Sequence, residues 1–455
     1  MKASRYNVWS QLGSENQLLY NVRTNALLRL SPAMRQRAES FLACPAAEPD
    51  ADFEKDLVRF GFATKDDGSE LASLKAAERV RRFDTRVLGL TICTTLACNL
   101  RCVYCYQKKS SDLMSADIQS KVVDFVESQA AGLSGLQVVY FGGEPLVGRK
   151  VITSLAAEFK RLAKQKEFAY SAAVITNGYL LTARVAEELA DCGVTSAQVT
   201  LDGPRRIHDT RRPREHGRGS FDRILENLAA AVDHIGAISV RVNVDKTNID
   251  AIPELLDELE RAGLRDKLRV YYAVVDSVTE ACKDYGCNCF DKEEFARELT
   301  GLQMLSLERG FVIDNFPAGG MGCGAISLNA YVVAPDGTLY KCYNQTGVAG
   351  QEVGHIDGAL DESRLSRWLA YDLFEYPDCR ECTNLPLCLG SCPLQAVETG
   401  QPECPSISYG LEDTLKMELL NRRFRQARQA NETGETHGER RSGPENGRDV
   451  AEAAG

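Results

Sequence analysis

Nowhere in its 455 residues does the chain hold an apolar run long enough to span a bilayer, so the sequence offers no transmembrane helix. The opening stretch, MKASRYNVWSQLGSENQ, lacks the apolar core of a secretory signal, and a cytoplasmic location is expected. Positive charge is not in excess either. Lys and Arg number 54 against 64 Asp and Glu, a net charge of −10, with a pI near 5.3. That balance argues against a nucleic-acid partner and against an anionic membrane surface. No internal repeat is visible beyond alternating strand and helix patterns. The last stretch, residues 431–455, has almost no bulky apolar residue and is expected to be disordered.

Cysteine, by contrast, is abundant, at 16 residues. In a reducing compartment a disulfide framework is not expected, and metal binding or redox work is. Cys44 and Cys192 stand far from other cysteines and read as ordinary buried residues. Cys93 reads as core. Hydrophobic content of 44% and charged content of 26% are those of a globular protein, and the length predicts two or three domains.

Four regions follow from the patterning. Residues 1–85 open with VWSQL, LLYNV and ALLRL, the last two separated by Arg23-Thr24-Asn25, a hairpin signal. Helical patterns over 32–42 and 53–60 come next. Residues 86–280 alternate short apolar, β-branched runs with amphipathic helices such as 118–131 and 183–192. The strands are expected at 87–92, 136–141, 171–176, 195–201, 238–244 and 268–274. Alternation with fully apolar strands implies a parallel sheet. Six such units, with polar motifs just past the strand ends, imply an α/β partial barrel with its site at the C-terminal rim. Residues 281–430 are cysteine-rich and less regular, with a helix expected over 410–429. The tail, 431–455, closes the chain.

The chemistry concentrates in Cys98-Asn-Leu-Arg-Cys102-Val-Tyr-Cys105. Three thiolates on one short loop leave one iron of a four-iron, four-sulfur cluster without a protein ligand, and an open iron can chelate a small molecule. Gly142-Gly143-Glu144-Pro145 follows the second expected strand. Its glycines permit close backbone approach to a ligand, and Glu144 offers a carboxylate to a cationic amine. Thr176-Asn177-Gly178 and Thr200-Leu201-Asp202-Gly203-Pro204 end the third and fourth strands. His208-Asp209-Thr210-Arg211-Arg212 then precedes Gly217-Arg218-Gly219-Ser220-Phe221.

In these motifs the chain resembles the radical SAM superfamily. The resemblance implies that Cys98, Cys102 and Cys105 hold a cluster whose open iron binds the amino and carboxylate groups of S-adenosylmethionine. It implies that Gly142, Gly143 and Glu144 hold the amine, and that Asn177, Thr200 and Asp202 meet the ribose and methionine end. Tyr104 would pack on the adenine and Arg212 would meet the carboxylate. Arg211, Arg214 and Arg218 are expected at the surface.

Further along stand Cys323, Cys342, Cys379, Cys382, Cys388, Cys392 and Cys404. Their spacing resembles the SPASM domain of peptide-modifying radical SAM enzymes, which implies two auxiliary four-iron, four-sulfur clusters. Cys323, Cys342 and Cys392 would serve the first, and Cys379, Cys382, Cys388 and Cys404 the second. A zinc ribbon is the alternative for this spacing. The first auxiliary cluster is left one ligand short, to be supplied by Cys282, Cys287, Cys289 or substrate. Residues 1–85 resemble a winged-helix leader-recognition domain, the alternative being a structural cap.

Together these resemblances imply an enzyme that forms a 5′-deoxyadenosyl radical and abstracts hydrogen from a ribosomal precursor peptide carrying a leader. A thioether or carbon–carbon cross-link would result. They also imply three clusters in all and a flavodoxin or ferredoxin as electron donor. An anaerobic sulfatase-maturing, formylglycine-forming enzyme is the first alternative, weakened because Tyr343 stands where that family has Asp. A non-catalytic iron–sulfur or zinc scaffold is the second.

Overall fold

The computed structural model describes residues 1–13, 16–44, 51–65, 67–275, 285, 288–313 and 322–433. Strands β1 (Lys2–Ala3), β2 (Asn7–Leu12), β3 (Asn16–Asn21), β4 (Ala26–Leu30) and β5 (Ala63–Thr64) build the N-terminal unit. β2, β3 and β4 form an antiparallel sheet with β2 and β4 at its edges, and β1 pairs with β5. The β3–β4 hairpin turns where expected. Asn25 takes the left-handed conformation (φ +62°) that Asn tolerates better than most residues. The first helix, Pro32–Ala43, starts at Ser31, whose hydroxyl accepts from Met34 N, with Pro32 preset for the first turn. Leu19, Leu28, Phe41, Leu57 and Phe62 close a small separate core.

Helix Asp67–Phe83 leads out of this unit. Near its end the buried Arg82 donates to the carbonyls of Ile326 (3.0 Å), Tyr371 (2.7 Å) and Leu369 (3.0 Å), and to Glu78 (3.2 Å). The N-terminal unit is thereby tied to the cysteine-rich region, 240 residues and more away.

The central layer is a nine-stranded sheet. β6 (Val87–Thr95), β7 (Gly135–Gly142), β8 (Ala169–Thr176), β9 (Val194–Thr200), β10 (Ala237–Val244) and β11 (Arg269–Val274) run parallel in consecutive order. Helices Ala116–Gln129, Arg149–Lys166, Ala183–Asp191, Phe221–Ala231 and Ile252–Arg261 alternate with them on one face. This is the partial barrel expected. Beyond residue 280 the sheet continues: β12 (Ala330–Val333) pairs in parallel with β6, followed by antiparallel β13 (Thr338–Tyr340) and β14 (Gly354–His355). The cysteine-rich region therefore shares the barrel's sheet.

The strands are not apolar on both faces, and that expectation is corrected. Residues such as Leu90, Val138, Val174, Val199, Val240 and Val270 are fully buried beneath the helices. Their alternates, including Phe141, Gln198, Ser239, Arg241, Asn243 and Tyr271, are only partly buried. These line the concave face, several of them polar. Among the described residues no helix is long and apolar enough to cross a membrane. Residues 434–455 of the tail lie outside the description, as do Cys282 and Cys287.

Candidate active site at the mouth of the sheet

The cysteine loop begins where β6 ends, and two later segments strap it in place. On one side Gly143 N donates to Thr95 O (3.0 Å) and Glu144 N to Ala97 O (2.9 Å). A Cβ at Gly142, whose φ is +126°, would stand 2.2 Å from Thr95 O, and one at Gly143 would stand 2.4 Å from Ala97 O. The backbone those glycines approach is thus the one entering the cysteine loop. On the other side Arg101 N donates to Pro213 O (2.7 Å) and Val103 N to Arg211 O (3.0 Å). Inside the loop Leu100 N points at Cys98 Sγ, 3.4 Å away.

Cys98, Cys102 and Cys105 share one neighbourhood. Burial, aided by the Glu144 carboxylate, pushes the Cys98 thiol up. Burial pushes Cys102 up to about 11; Arg212 opposes this, while Cys105 and Cys98 reinforce it. Thiols so placed ionise only if positive charge arrives, which iron supplies.

Glu144 is 1% exposed. Its Oε1 accepts from Thr176 Oγ1 (2.6 Å) and Leu146 N (3.0 Å), and its Oε2 accepts from Asn177 N (2.7 Å). A carboxylate has roughly four acceptor sites, so one position on Oε2 is left for a further donor. Burial raises the Glu144 pKa, and the three hydrogen bonds work against that rise. An ammonium group would complete both the charge and the hydrogen-bond set. Asn177 Nδ2 donates to Asn99 Oδ1 (2.7 Å) and lies 3.9 Å from Cys98 Sγ.

Arg212 is buried, and its Nη1 donates to the Tyr104 hydroxyl (2.7 Å). That hydroxyl donates in turn to Asp202 and accepts from Asn243 Nδ2 (3.1 Å). Burial works against the Arg212 charge, but Cys102, Tyr104 and Asp202 outweigh it, so the guanidinium stays charged. Its Nε, like Asn99 Nδ2, is a buried donor without a partner. These two donors and the remaining acceptor position on Glu144 fit a zwitterionic amino acid beside the cysteine loop. Thr200 is buried at the end of β9, in register with Arg241.

The residues around Arg212 explain the motif it sits in. Asp209 Oδ1 accepts from Ser220 N (2.7 Å) and Phe221 N (2.9 Å). A Cβ at Gly219 would lie 2.3 Å from Asp209 Oδ2. His208 is fully buried; its Nδ1 accepts from Asp202 N (3.3 Å), so its Nε2 carries the proton and donates to Ser220 Oγ (3.1 Å). Ser220 Oγ in turn donates to Arg212 O (3.0 Å). Burial and the neighbouring Arg212 push the His208 pKa down to about 3, which keeps the ring neutral.

The surface expectation for Arg211 is overturned. This side chain is buried and donates to Asp245 (2.7 Å), Thr247 (2.7 Å), Tyr285 (2.8 Å) and Asn243 O (3.2 Å). Its guanidinium lies 5.1 Å from the centre of the Tyr104 ring. Arg218 is exposed, and Arg214 lies 4.4 Å over Tyr179. Asn243, Asp245 and Tyr285 were not singled out from sequence. The signal for Asn243 lay in ISVRVNV, where every second residue from Ser239 is polar.

The C-terminal cysteines fall into two neighbourhoods. Burial pushes Cys342 up to about 12, and Cys323 and Cys392 add to the rise; Cys392 does the same to Cys323. Burial pushes Cys388 up to about 11, reinforced by Cys404 and Cys379, and Cys379 is raised by burial with Cys404 and Cys382. Among the described residues no three His, Cys, Asp or Glu side chains converge on one ion. A four-iron cluster takes one thiolate per iron, so its ligands need not converge that way. Asn288, next to Cys289, accepts at its carbonyl from Lys246 N (3.0 Å) just past β10. Cys93 and Cys192 are buried as expected, whereas Cys44 is exposed, because it caps the end of a surface helix.

Comparison with known proteins agrees with this geometry. Residues 92–259 match the radical SAM superfamily. The chain is 29% identical to the Fe-coproporphyrin III synthase of Methanosarcina barkeri over 166 residues, 36% of this chain and 39% of that protein. It is 32% identical to the GTP 3′,8-cyclase of Bradyrhizobium diazoefficiens over 181 residues, 38% of this chain and 49% of that one. The chain thus spans half or less of these relatives. A longer, more distant match is the radical SAM cyclopropyl synthase TigE of Paramaledivibacter caminithermalis, 20% identical over 82% of each chain. In fold the chain is similar to anSMEcpe with bound AdoMet and Kp18Cys peptide, at TM-score 0.59 and 17% identity over 76% of this chain and 99% of that one. It is also similar to Streptococcus suis SuiB bound to precursor peptide SuiA, at TM-score 0.52 and 14% identity over 89% and 98%. Residues 92–259, from the end of β6 through β10 and into the helix Ile252–Arg261, are thus similar to the radical SAM superfamily.

Proposed function

We propose that the chain is a radical S-adenosylmethionine enzyme that modifies a ribosomally made peptide by an oxidative cross-link, carbon–carbon or thioether. The observation that carries the reading is the set of matched, unfilled bonding positions beside Cys98: the remaining Glu144 acceptor and the buried donors of Arg212 and Asn99. S-adenosylmethionine bound to a reduced cluster supplies a 5′-deoxyadenosyl radical, chemistry that no side chain provides.

The protein's own residues orient and shield. Cys98, Cys102 and Cys105 hold iron, Glu144 receives the amine, and Arg212 receives the carboxylate. Tyr104 and Asp202 lock the Arg212 fork, and neutral His208 fixes the turn behind it. Cys323, Cys342 and Cys392, with Cys379, Cys382, Cys388 and Cys404, would hold two auxiliary clusters, which would supply a place for the electron lost in an oxidation. Two of the similar structures contain a bound peptide, which supports a peptide substrate here. Residues 1–85 bind the leader as an added strand at an edge of the β2–β3–β4 sheet.

The test uses full-length protein reconstituted anaerobically with iron and sulfide, reduced, and given S-adenosylmethionine with short peptides encoded beside its gene. The expected result is 5′-deoxyadenosine together with a peptide product two hydrogens lighter. Deoxyadenosine without any peptide change would refute the peptide substrate, and no deoxyadenosine would refute the enzyme.

A further inference from the structure

The concave face of the sheet has two unlike walls. On one side Phe141 at the end of β7, Tyr106 beyond the cysteine loop and Tyr343 after Cys342 come together. Tyr343 lies 5.6 Å from Phe141 and 6.5 Å from Tyr106 between ring centres, and the residue is still 48% exposed. The facing wall, from β9 to β11, is polar. There the Tyr271 hydroxyl donates to Gln198, and Arg241 lies in register between Thr200 on β9 and Tyr271 on β11.

Arg241 is the unusual member. Its Nε donates to Asn243 Oδ1 (2.7 Å), and its guanidinium lies 6.0 Å from the Tyr271 ring centre. A further donor of the guanidinium goes to the Tyr271 hydroxyl, the rest of its five have no partner among the described residues, and no carboxylate among those residues pairs with it. Its charge works against the burial-driven rise at the neighbouring Tyr271 hydroxyl. A cation set into a concave, partly desolvated wall and left without a counter-charge marks a place where an anion is to be received.

We infer that Arg241 is the anchor for a carboxylate carried by the substrate peptide, the side chain of an acidic residue next to the carbon that reacts. The planar fork grips a carboxylate through two parallel hydrogen bonds. The neighbouring apolar portion of the peptide then lies against Tyr106, Phe141 and Tyr343, between the cysteine loop and Cys342. Arg241 is here a specificity-determining residue. The inference rests on the peptide-modifying reading above.

Reconstituted full-length protein saturated with S-adenosylmethionine should be titrated with three probes. These are N-acetylglutamate N-methylamide, N-acetylglutamine N-methylamide and N-acetylglutamine with a free terminal carboxylate. The first should bind about tenfold more tightly than the second, as one charged hydrogen-bonded pair provides. The third should resemble the second if a side chain is the source of the carboxylate. Arg241→Gln should bring the first two probes together, whereas Arg241→Lys should keep part of the difference. Equal binding of all three to wild type, or a preference that survives Arg241→Gln, would overturn the inference. So would loss of S-adenosylmethionine affinity in Arg241→Gln without any probe preference in wild type, since Arg241 would then serve the cofactor. Tight binding of the third probe alone would transfer the site to a chain terminus and overturn the side-chain assignment. Wild-type protein that yields no deoxyadenosine breaks the underlying reading; one that yields it yet ignores the probes breaks this inference alone.

Discussion

The chain carries its cysteines in two contrasting settings. Cys98, Cys102 and Cys105 sit on one loop whose backbone is hydrogen-bonded to the Gly143–Glu144 turn on one side and to residues 211–213 on the other. Cys379, Cys382, Cys388, Cys392 and Cys404 are spread over short helices and turns, Pro377–Glu381, Leu385–Cys388 and Pro393–Thr399. The first trio is positioned by a parallel sheet that would exist without it. The second group has little regular structure to lean on, so in the proposed reading a bound cluster would contribute more of its stability.

The largest expected effect separates the two directly. Replacing Cys98, Cys102 and Cys105 together by Ala should abolish deoxyadenosine formation and remove about one four-iron cluster per chain. The melting temperature should stay within about 3 °C of wild type. Replacing Cys379 and Cys382 should lower it by more than about 5 °C. Iron analysis and anaerobic melting curves check both, and equal melting shifts would erase the contrast.

A smaller effect sharpens the account of the first site. Glu144→Gln keeps the shape but removes the charge and places an amide against the N–H of Asn177. S-adenosylmethionine affinity should fall by about 100-fold, measured by calorimetry on reconstituted protein. An unchanged affinity would show that the buried carboxylate serves only the turn.

The smallest concerns the scaffold behind Arg212. His208 ionises at about 3 in the fold and near 6.5 unfolded, so the unfolded chain binds the extra proton between these values. Its contribution is whole above pH 6.5 and is lost as pH falls toward 3. By pH 5 the loss is on the order of 2 kcal/mol. Denaturant unfolding of wild type and His208→Asn at pH 7 and pH 5 should show the shallower pH dependence in the variant. Parallel slopes would mean that the ring is not held neutral.

Much of this was legible in the sequence, for physical reasons that also explain the gaps. The six parallel strands could be read because their helix-facing residues, such as Leu88, Leu90 and Ile92, are continuous apolar signals. The polar alternation on the concave face was submerged by small residues such as Ala173 and Ser196, and Arg241 passed unremarked. Arg211 was misplaced because an arginine in a charged stretch reads as solvated, whereas here Asp245 and Tyr285, from distant segments, neutralise and cover it. β12 to β14 were missed because strands of two to four residues carry no period. Cys44 looked buried by composition alone, which says nothing about which side of a helix end faces out.

β6 pairs with β7 along one edge and with β12 along the other, in the register Ile92 to Val333. The loop bearing Cys98 leaves the far end of β6, whereas β13, antiparallel to β12, runs back toward the start of β6 before it reaches Cys342, so both cysteine groups are placed by one sheet. Their separation is a lattice constant of the sheet and not the reach of a tether. A one-residue slip between β6 and β12 would move one cysteine group past the other by about 3.3 Å and turn β12 inside out. Gradual retuning of that gap is thus closed to the chain. Change across that gap falls instead to the side chains beside it, among them Phe141, Tyr106 and Tyr343.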